Sequence, residues 1–179
     1  MLSLAALTFW LEQTVRVEEG QHPSQRRHDP DYVVDNLLHT QFDAAGKVES
    51  TLAASKMIHY PDDDSTELIT PRVVQTKPNE PRVTVTADRG TLSQDGEEIF
   101  LYDNVVMVRE GGVERAEQRM RTSFLHMVRA RSIIRTDRDV YITENDRMLS
   151  GRGMEYHNDA RQFYLRDRVR GRFEPRSGK

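Results

Sequence analysis

The residue types that most often carry catalysis or bind metals occur in this chain, but without the spacings that their chemistry requires. The six histidines form neither an H-x-H nor an H-E-x-x-H pair, which would bring two imidazoles to one metal ion. Asp62, Asp63 and Asp64 follow Pro61 without the alternating ligands and central glycine of a calcium loop, so a solvated turn is favoured. Because the sequence has no cysteine, thiol catalysis, zinc–thiolate sites and disulfides are excluded. We expect no metal site.

Motifs for nucleotide binding and acyl transfer are also incomplete. Ala45-Gly46-Lys47 resembles the end of a phosphate-binding loop, but the position of its leading glycine is occupied by Gln41. The short run Gly151-Arg152-Gly153 predicts a β-turn or bulge, and no G-x-S-x-G elbow is present. We therefore predict that the protein is not an enzyme and needs no cofactor. The energy for any driven process would come from another subunit.

Composition favours a thin or open architecture over a thick multilayer core. Of the 179 residues only 36% are hydrophobic, whereas 31% are charged. Residues 1–80 carry 7 Lys and Arg against 13 Asp and Glu, and residues 81–179 carry 19 against 16. The more basic part could face phosphates. Since both signs are mixed throughout, no continuous stripe for nucleic acid is predicted.

The first eleven residues, MLSLAALTFWL, form an uncharged apolar run that Glu12 ends. As a helix they would rise about 16 Å, roughly half of a bilayer core. We interpret residues 1–12 as a transmembrane anchor that is apparently truncated, with Trp10 at the membrane boundary. A secretory signal or a short buried helix are the alternatives. Residues 13–30, with Pro23 and Pro30, are expected to be a polar linker.

From Asp31 onward, short runs of β-branched and aromatic residues alternate with turn signals, a pattern typical of antiparallel strands. Strands are predicted within residues 83–86, 99–108, 140–143 and 163–169. Two columns of large side chains recur every 32 residues, which indicates one strand–turn–strand unit used repeatedly. The columns are Tyr60, Leu92, Phe124 and Tyr156, and then Ile69, Leu101, Ile133 and Leu165. Such hairpins predict an open jellyroll or a short solenoid.

Two segments permit a second interpretation. Val113, Ala116, Met120, Phe124 and Met127 lie at helical spacing, so residues 113–131 could form a basic amphipathic helix; we favour strands because both columns pass through the segment. Near the C-terminus, arginines cluster around Phe163, Tyr164 and Phe173. Arginines among aromatics can bind nucleic acid. A strand with one charged face gives the same pattern, and we favour the strand.

Residues 87–92 (ADRGTL) and 99–105 (IFLYDNV) resemble the repeated "A-x-x-G-x-L … I-x-L-x-x-N-V" unit of the LptC family and the OstA-like domain. Residues 151–156 and 165–169 resemble a second copy, and the resemblance covers residues 31–173. It implies a twisted, open antiparallel β-jellyroll over residues 31–175 in the periplasm, with a tail at 176–179. The single-pass anchor would hold it in the inner membrane.

The resemblance further implies a non-enzymatic protein of lipopolysaccharide export. It would receive lipid from an inner-membrane ABC transporter of LptBFG type and pass it to a periplasmic bridge protein of LptA type. No nucleic-acid partner is expected. The expected lipid contacts are Leu37, Leu68, Ile69, Leu101, Ile133, Phe163 and Leu165, and the expected partner-binding edge comprises Tyr164, Arg166, Val169 and Phe173. The alternatives are plain core packing of these columns, and a structural adaptor that binds no lipid.

Overall fold

The computed structural model describes residues 28–77, 80–112, 116–157 and 162–173, and these ranges form one antiparallel sheet. The all-β prediction is thereby confirmed, while the predicted anchor, most of the linker and the tail lie outside the described residues. No helix in these ranges is long and apolar enough to cross a membrane. The strands are β1 Tyr32–Phe42, β2 Val48–Tyr60, β3 Ser65–Ile69, β4 Arg72–Gln75, β5 Val83–Thr86, β6 Arg89–Leu92, β7 Glu98–Arg109, β8 Gln118–Val128, β9 Ile133–Glu144, β10 Arg147–His157 and β11 Gln162–Phe173.

The strands follow one another across the sheet in chain order. β3 and β4 pair with β2 in one continuous register, and β6 and β5 continue that register on the other side. β3 with β4, and β5 with β6, are therefore two strands that are each interrupted once. β7 pairs with both β5 and β6, and β8 to β11 then follow as successive antiparallel neighbours. Each turn returns the chain beside the strand that it has just left.

A line of backbone kinks crosses the middle of the sheet. The residues on this line adopt a positive φ, which residues other than glycine rarely do. A positive φ within a strand bends it. The kink line comprises Asn36, Thr70, Asp103, Asn104, Gly153 and Arg168. The register shifts in β7, β10 and β11 fall at or beside these residues. The bulge predicted at residues 151–153 is confirmed at Gly153, whose φ is 73°.

The kink line divides the sheet into two halves that face each other across the core. Buried residues from both halves, such as Leu101 and Leu125 in one and Val85 and Val140 in the other, belong to one hydrophobic cluster. The opposite face carries charged residues such as Arg121 next to the buried Met120 and Thr122, and Arg135 next to the buried Ile134 and Thr136. Burial of alternate residues on one face of a sheet is the pattern expected of strands that cover a core on one side only.

The repeat predicted from the 32-residue spacing corresponds to hairpins. Tyr60 ends β2 and Leu92 ends β6, while Tyr156 lies next to the last residue of β10. In the turn after β6, the Asp95 carboxylate accepts hydrogen bonds from the Ser93 hydroxyl and the Glu97 amide. The third copy is a strand over Gln118–Val128, so the helical alternative is wrong there. It turns through a 3-10 helix at Arg129–Arg131, where the other turns contain an aspartate such as Asp63 or Asp95.

The start of β1 is fastened to the β2–β3 hairpin by two imidazole–carboxylate contacts. His28 Nδ1 lies 3.1 Å from Asp62 Oδ1, and its ring stacks on Tyr60. His59 Nδ1 lies 2.7 Å from Asp31 Oδ1. The hydrogen bond that His28 donates to the Asp62 carboxylate raises the pKa of His28 above its ordinary value of 6.5, and the bond from His59 lowers the pKa of Asp31. The segment that enters the sheet is thus held by charge as well as by strand pairing.

These contacts predict that the start of β1 loosens as the pH rises through the raised pKa of His28. A histidine whose pKa is raised in the folded state stabilises it below the ordinary pKa and loses that effect when it deprotonates. We expect the amides of residues 32–34 that face β2 to exchange hydrogen faster at pH 8 than at pH 6, after correction for intrinsic rates. Asp62→Asn should remove this difference. Equal protection at both pH values in the unmodified chain would contradict the prediction.

Candidate functional site

A continuous row of apolar side chains crosses the core-facing side of the sheet at right angles to the strands. Cross-strand register links Leu92 to Ile99, Ile99 to Met127, Met127 to Ile134, Ile134 to Tyr156 and Tyr156 to Phe163. With neighbouring strands about 4.8 Å apart, the apolar row extends over roughly 24 Å. The exposed fraction rises from 2% at Ile99 to 41% at Phe163, so the row emerges into solvent at β11.

A cavity of about 230 Å³ lies over the inner part of the apolar row. Its walls come from both halves of the folded sheet: Leu52 and Val73 on one side, and Ile99, Met127 and Ile134 on the other. Polar and charged side chains surround this apolar floor. They are His39, Gln41, Glu49, Gln75, Lys77, Glu97 and Arg129. An apolar floor with a polar rim suits an amphiphile whose hydrocarbon part enters the fold while its polar part stays near water.

Next to the cavity, a polar contact joins the two halves of the sheet across the groove that lies between them. The Arg109 guanidinium on β7 donates a hydrogen bond of 2.7 Å to the Tyr156 hydroxyl on β10. The same guanidinium carbon lies 5.5 Å from the centre of the Tyr156 ring, within the range of a cation–π contact. β7 and β10 are not neighbours in the sheet, so this contact spans the space between the halves.

The predicted lipid contacts differ in how deeply they are buried and in the face of the sheet on which they lie. Leu68 and Leu101 are fully buried in the core. Ile69 follows Leu68 directly and therefore points to the opposite face of its strand. Leu37 on β1 packs partly buried against the core. As lipid contacts, these four residues stay predictions.

The other three predicted contacts are more exposed than Leu68 and Leu101. Ile133 lines the cavity, and Phe163 ends the apolar row. Leu165 packs partly buried against the core beside Met154. Sequence reasoning did not select Met127 and Ile134 for the site. Both residues follow from Leu92 and Ile99 by cross-strand pairing. Finding them therefore requires the pairing register of β7, β8 and β9.

The predicted partner-binding residues all lie on β11, which pairs with β10 and with no other described strand. Val169 and Phe173 are among the exposed large apolar residues, and Tyr164 is also exposed. Arg166 is held by Glu155, whose pKa is lowered by its hydrogen bonds from His157 and Arg166. The strand therefore presents both an open backbone edge and apolar side chains to solvent.

Two further clusters were not expected from the sequence. On the outer face, the buried His126 ring stacks on Phe100. The His126 Nε2 atom lies 2.7 Å from the Glu98 carboxylate, and its Nδ1 atom accepts a hydrogen bond from the Arg135 guanidinium. At the β2–β3 turn, ligand atoms of His28, Asp62 and Asp63 lie within 4.8 Å of one another, close enough to share a cation. His28 and Asp62 already pair with each other there.

Comparison with known proteins gives one family and one fold. A family model described as "Lipopolysaccharide-assembly, LptC-related" matches residues 1–174. No curated protein matches the chain. Among solved structures, the chain is similar to LptH of Pseudomonas aeruginosa, described as the LptA-homologous periplasmic component of the lipopolysaccharide transport device. The TM-score is 0.55 at 8% identity, and the match covers 70% of this chain and 95% of LptH. At that identity the likeness shows the fold alone.

Proposed function

Because the chain belongs to the LptC-related family of lipopolysaccharide-assembly proteins, we propose that it holds the acyl chains of lipopolysaccharide in the groove between the two halves of its sheet. It would receive the lipid from an inner-membrane ABC transporter and pass it to a periplasmic bridge protein along β11. An N-terminal helix would fasten it to the inner membrane. This places the sheet in the periplasm, between the membrane and the bridge.

The observation that carries the proposal is the apolar row with its gradient of exposure. From the buried Ile99, the row leads to the exposed Phe163 on β11, which pairs on one side only among the described strands. A binding pocket for retention would be closed at both ends. A row that opens at a free sheet edge suits a protein that hands its ligand to the next protein in line.

The energetics of the cargo favour such a row. Each methylene that leaves water gains about 0.8 kcal/mol, so an acyl chain of about ten carbons costs roughly 8 kcal/mol to expose. A carrier must therefore offer apolar surface at every step across the aqueous space. A partner that pairs with the edge of β11 would extend the sheet by main-chain hydrogen bonds and would extend the apolar row with it.

Site-specific photo-crosslinking in the full-length protein tests this proposal. A photoreactive side chain is placed at Ile133, at Phe163 or at Tyr141. Ile133 lines the cavity and Phe163 ends the apolar row. Tyr141 is an exposed aromatic residue between the inward-facing Val140 and Ile142, so it serves as the matched outer-face control. We expect lipopolysaccharide adducts at Ile133 and Phe163 and none at Tyr141.

Two outcomes would count against the lipid groove. If the protein is folded and membrane-associated but gives no adduct at any of the three positions, it acts as an adaptor between transporter and bridge without touching lipid. If Tyr141 reacts as strongly as Ile133, the lipid binds nonspecifically to the surface and the groove has no role.

A further inference from the structure

The contact between Arg109 and Tyr156 lies on the path that a lipid would take through the groove. Tyr156 is the cross-strand neighbour of Ile134, which lines the cavity, and the next residue in that row is Phe163. On the opposite wall, register leads from Gln75, which also lines the cavity, through Val83 to Arg109. On both walls, therefore, the contact follows the cavity within one or two strands in the direction of β11.

The chemistry of the contact makes it easy to break for one kind of ligand. Arg109 is half-buried, and no carboxylate within the described ranges forms an ion pair with it; its partners are the hydroxyl and the ring of Tyr156. A hydrogen bond from arginine to a neutral phenol is weaker than one to a charged acceptor. Phosphate offers charged oxygens that a guanidinium can bind with two parallel hydrogen bonds.

We propose that Arg109 and Tyr156 form a gate within the groove, which opens when a phosphate on the lipid headgroup takes the Arg109 guanidinium from the Tyr156 hydroxyl. The proposal rests on the lipid groove proposed above and adds the ligand class that passes. Acyl chains alone fill the cavity as far as Ile134. A chain attached to an anionic headgroup also releases the contact and proceeds to Phe163.

Such a gate selects among lipids and at the same time controls which of them moves on toward Phe163. Both phosphorylated and uncharged lipids gain the same hydrophobic free energy in the cavity, since their acyl chains are the same. They differ in what they offer to Arg109. Only the phosphorylated lipid replaces the lost hydrogen bond with bonds to a charged acceptor, whereas the hydroxyl and carbonyl oxygens of the uncharged lipid are neutral acceptors like the Tyr156 hydroxyl.

The test measures lipid adducts on either side of the gate in the full-length protein. A photoreactive side chain at Ile133 reports the cavity, and one at Phe163 reports the groove beyond the contact. The probes are lipid A with its phosphates and the same lipid A after the phosphates have been removed. For the unmodified gate, we expect the Phe163-to-Ile133 adduct ratio to be at least about fivefold higher with the phosphorylated probe, a typical size for a coupling between sites.

Variants of the two residues decide whether the contact causes this difference. Tyr156→Phe removes the hydroxyl, and Arg109→Met removes the cation at similar side-chain length. Both should let the dephosphorylated probe reach Phe163, so that the adduct ratios of the two probes become equal. Tyr141→Phe, at an exposed tyrosine on β9, is the matched control and should keep the difference. Circular dichroism verifies the fold of each variant.

The outcomes separate the gate from the groove. If the two probes give equal ratios in the unmodified protein, or if both variants keep the difference, the gate is overturned while adducts at Ile133 still support the groove. If neither probe reacts at Ile133 in the folded protein, the lipid groove is overturned, and the gate with it.

Discussion

Leu101→Ala is expected to lower the free energy of unfolding by about 2 to 5 kcal/mol, the usual cost of removing a fully buried leucine side chain. Leu101 is 0% exposed and pairs with Gly90 and Leu125. A Cβ on Gly90 would lie 3.1 Å from Leu101 Cδ2, so the neighbouring strand already approaches as closely as it can. Urea unfolding followed by circular dichroism gives the free energy.

The matched control is Leu38→Ala, because Leu38 is 70% exposed on β1 and should change the free energy of unfolding by less than about 0.5 kcal/mol. The comparison also decides which role Leu101 has. A loss below 1 kcal/mol together with loss of lipid adducts would mean that Leu101 contacts the cargo. A large loss of stability means that Leu101 holds the two halves of the sheet together.

The second large effect concerns the free edge at β11. We expect the double substitution Val169→Glu and Phe173→Glu to weaken binding to the periplasmic bridge protein at least tenfold, which corresponds to about 1.4 kcal/mol. Val169 and Phe173 are 53% and 69% exposed, respectively, although both are apolar. Charges on an edge strand are a common means of preventing edge-to-edge pairing. Surface plasmon resonance with the purified partner measures the affinity.

The opposite edge of the sheet provides the control. Leu38→Glu places the same charge on β1, which pairs with β2 and with no other described strand, and should leave the affinity for the bridge protein unchanged. If Leu38→Glu weakens binding as much as the β11 variant, general electrostatic repulsion explains the loss. If neither weakens it, the bridge protein does not dock at β11.

Local chemistry made the strands and turns predictable. Val83–Thr86 alternates cleanly between two turn signals and is β5 as predicted. Gly46 and Gly96 adopt the positive φ that their turns require, with φ of 75° and 69°. The third repeat was ambiguous because Met120, Phe124 and Met127 fit helical spacing as well. In the structure this segment pairs with both β7 and β9 and is a strand. Pairing between strands cannot be predicted from the residues of one segment alone.

The kink line could not be predicted from local sequence. Thr70 and Arg168 adopt positive φ although threonine and arginine have no local preference for it. Leu68 and Leu101 each precede a kinked residue by two positions, and both are fully buried. Ile133 and Phe163 lie at the ends of their strands that are far from the kink line, and both are more exposed than Leu68 and Leu101. The 32-residue columns contain fully buried residues such as Leu101 and partly exposed ones such as Ile133. A repeat in sequence carries no information about the distance of a residue from the kink line.

The chain-order arrangement of the strands has a consequence for how the protein folds. Every ladder joins segments that are close in sequence, so the contact order is low for an all-β protein, and each hairpin closes only a short loop. Nucleation can begin in any hairpin and propagate outward to its neighbours, as in solenoid proteins. A chain delivered through a membrane from its N-terminus can thus add strands in the order in which they emerge. Pairing of a partner at β11, as proposed above, would repeat the same elementary step with a second polypeptide.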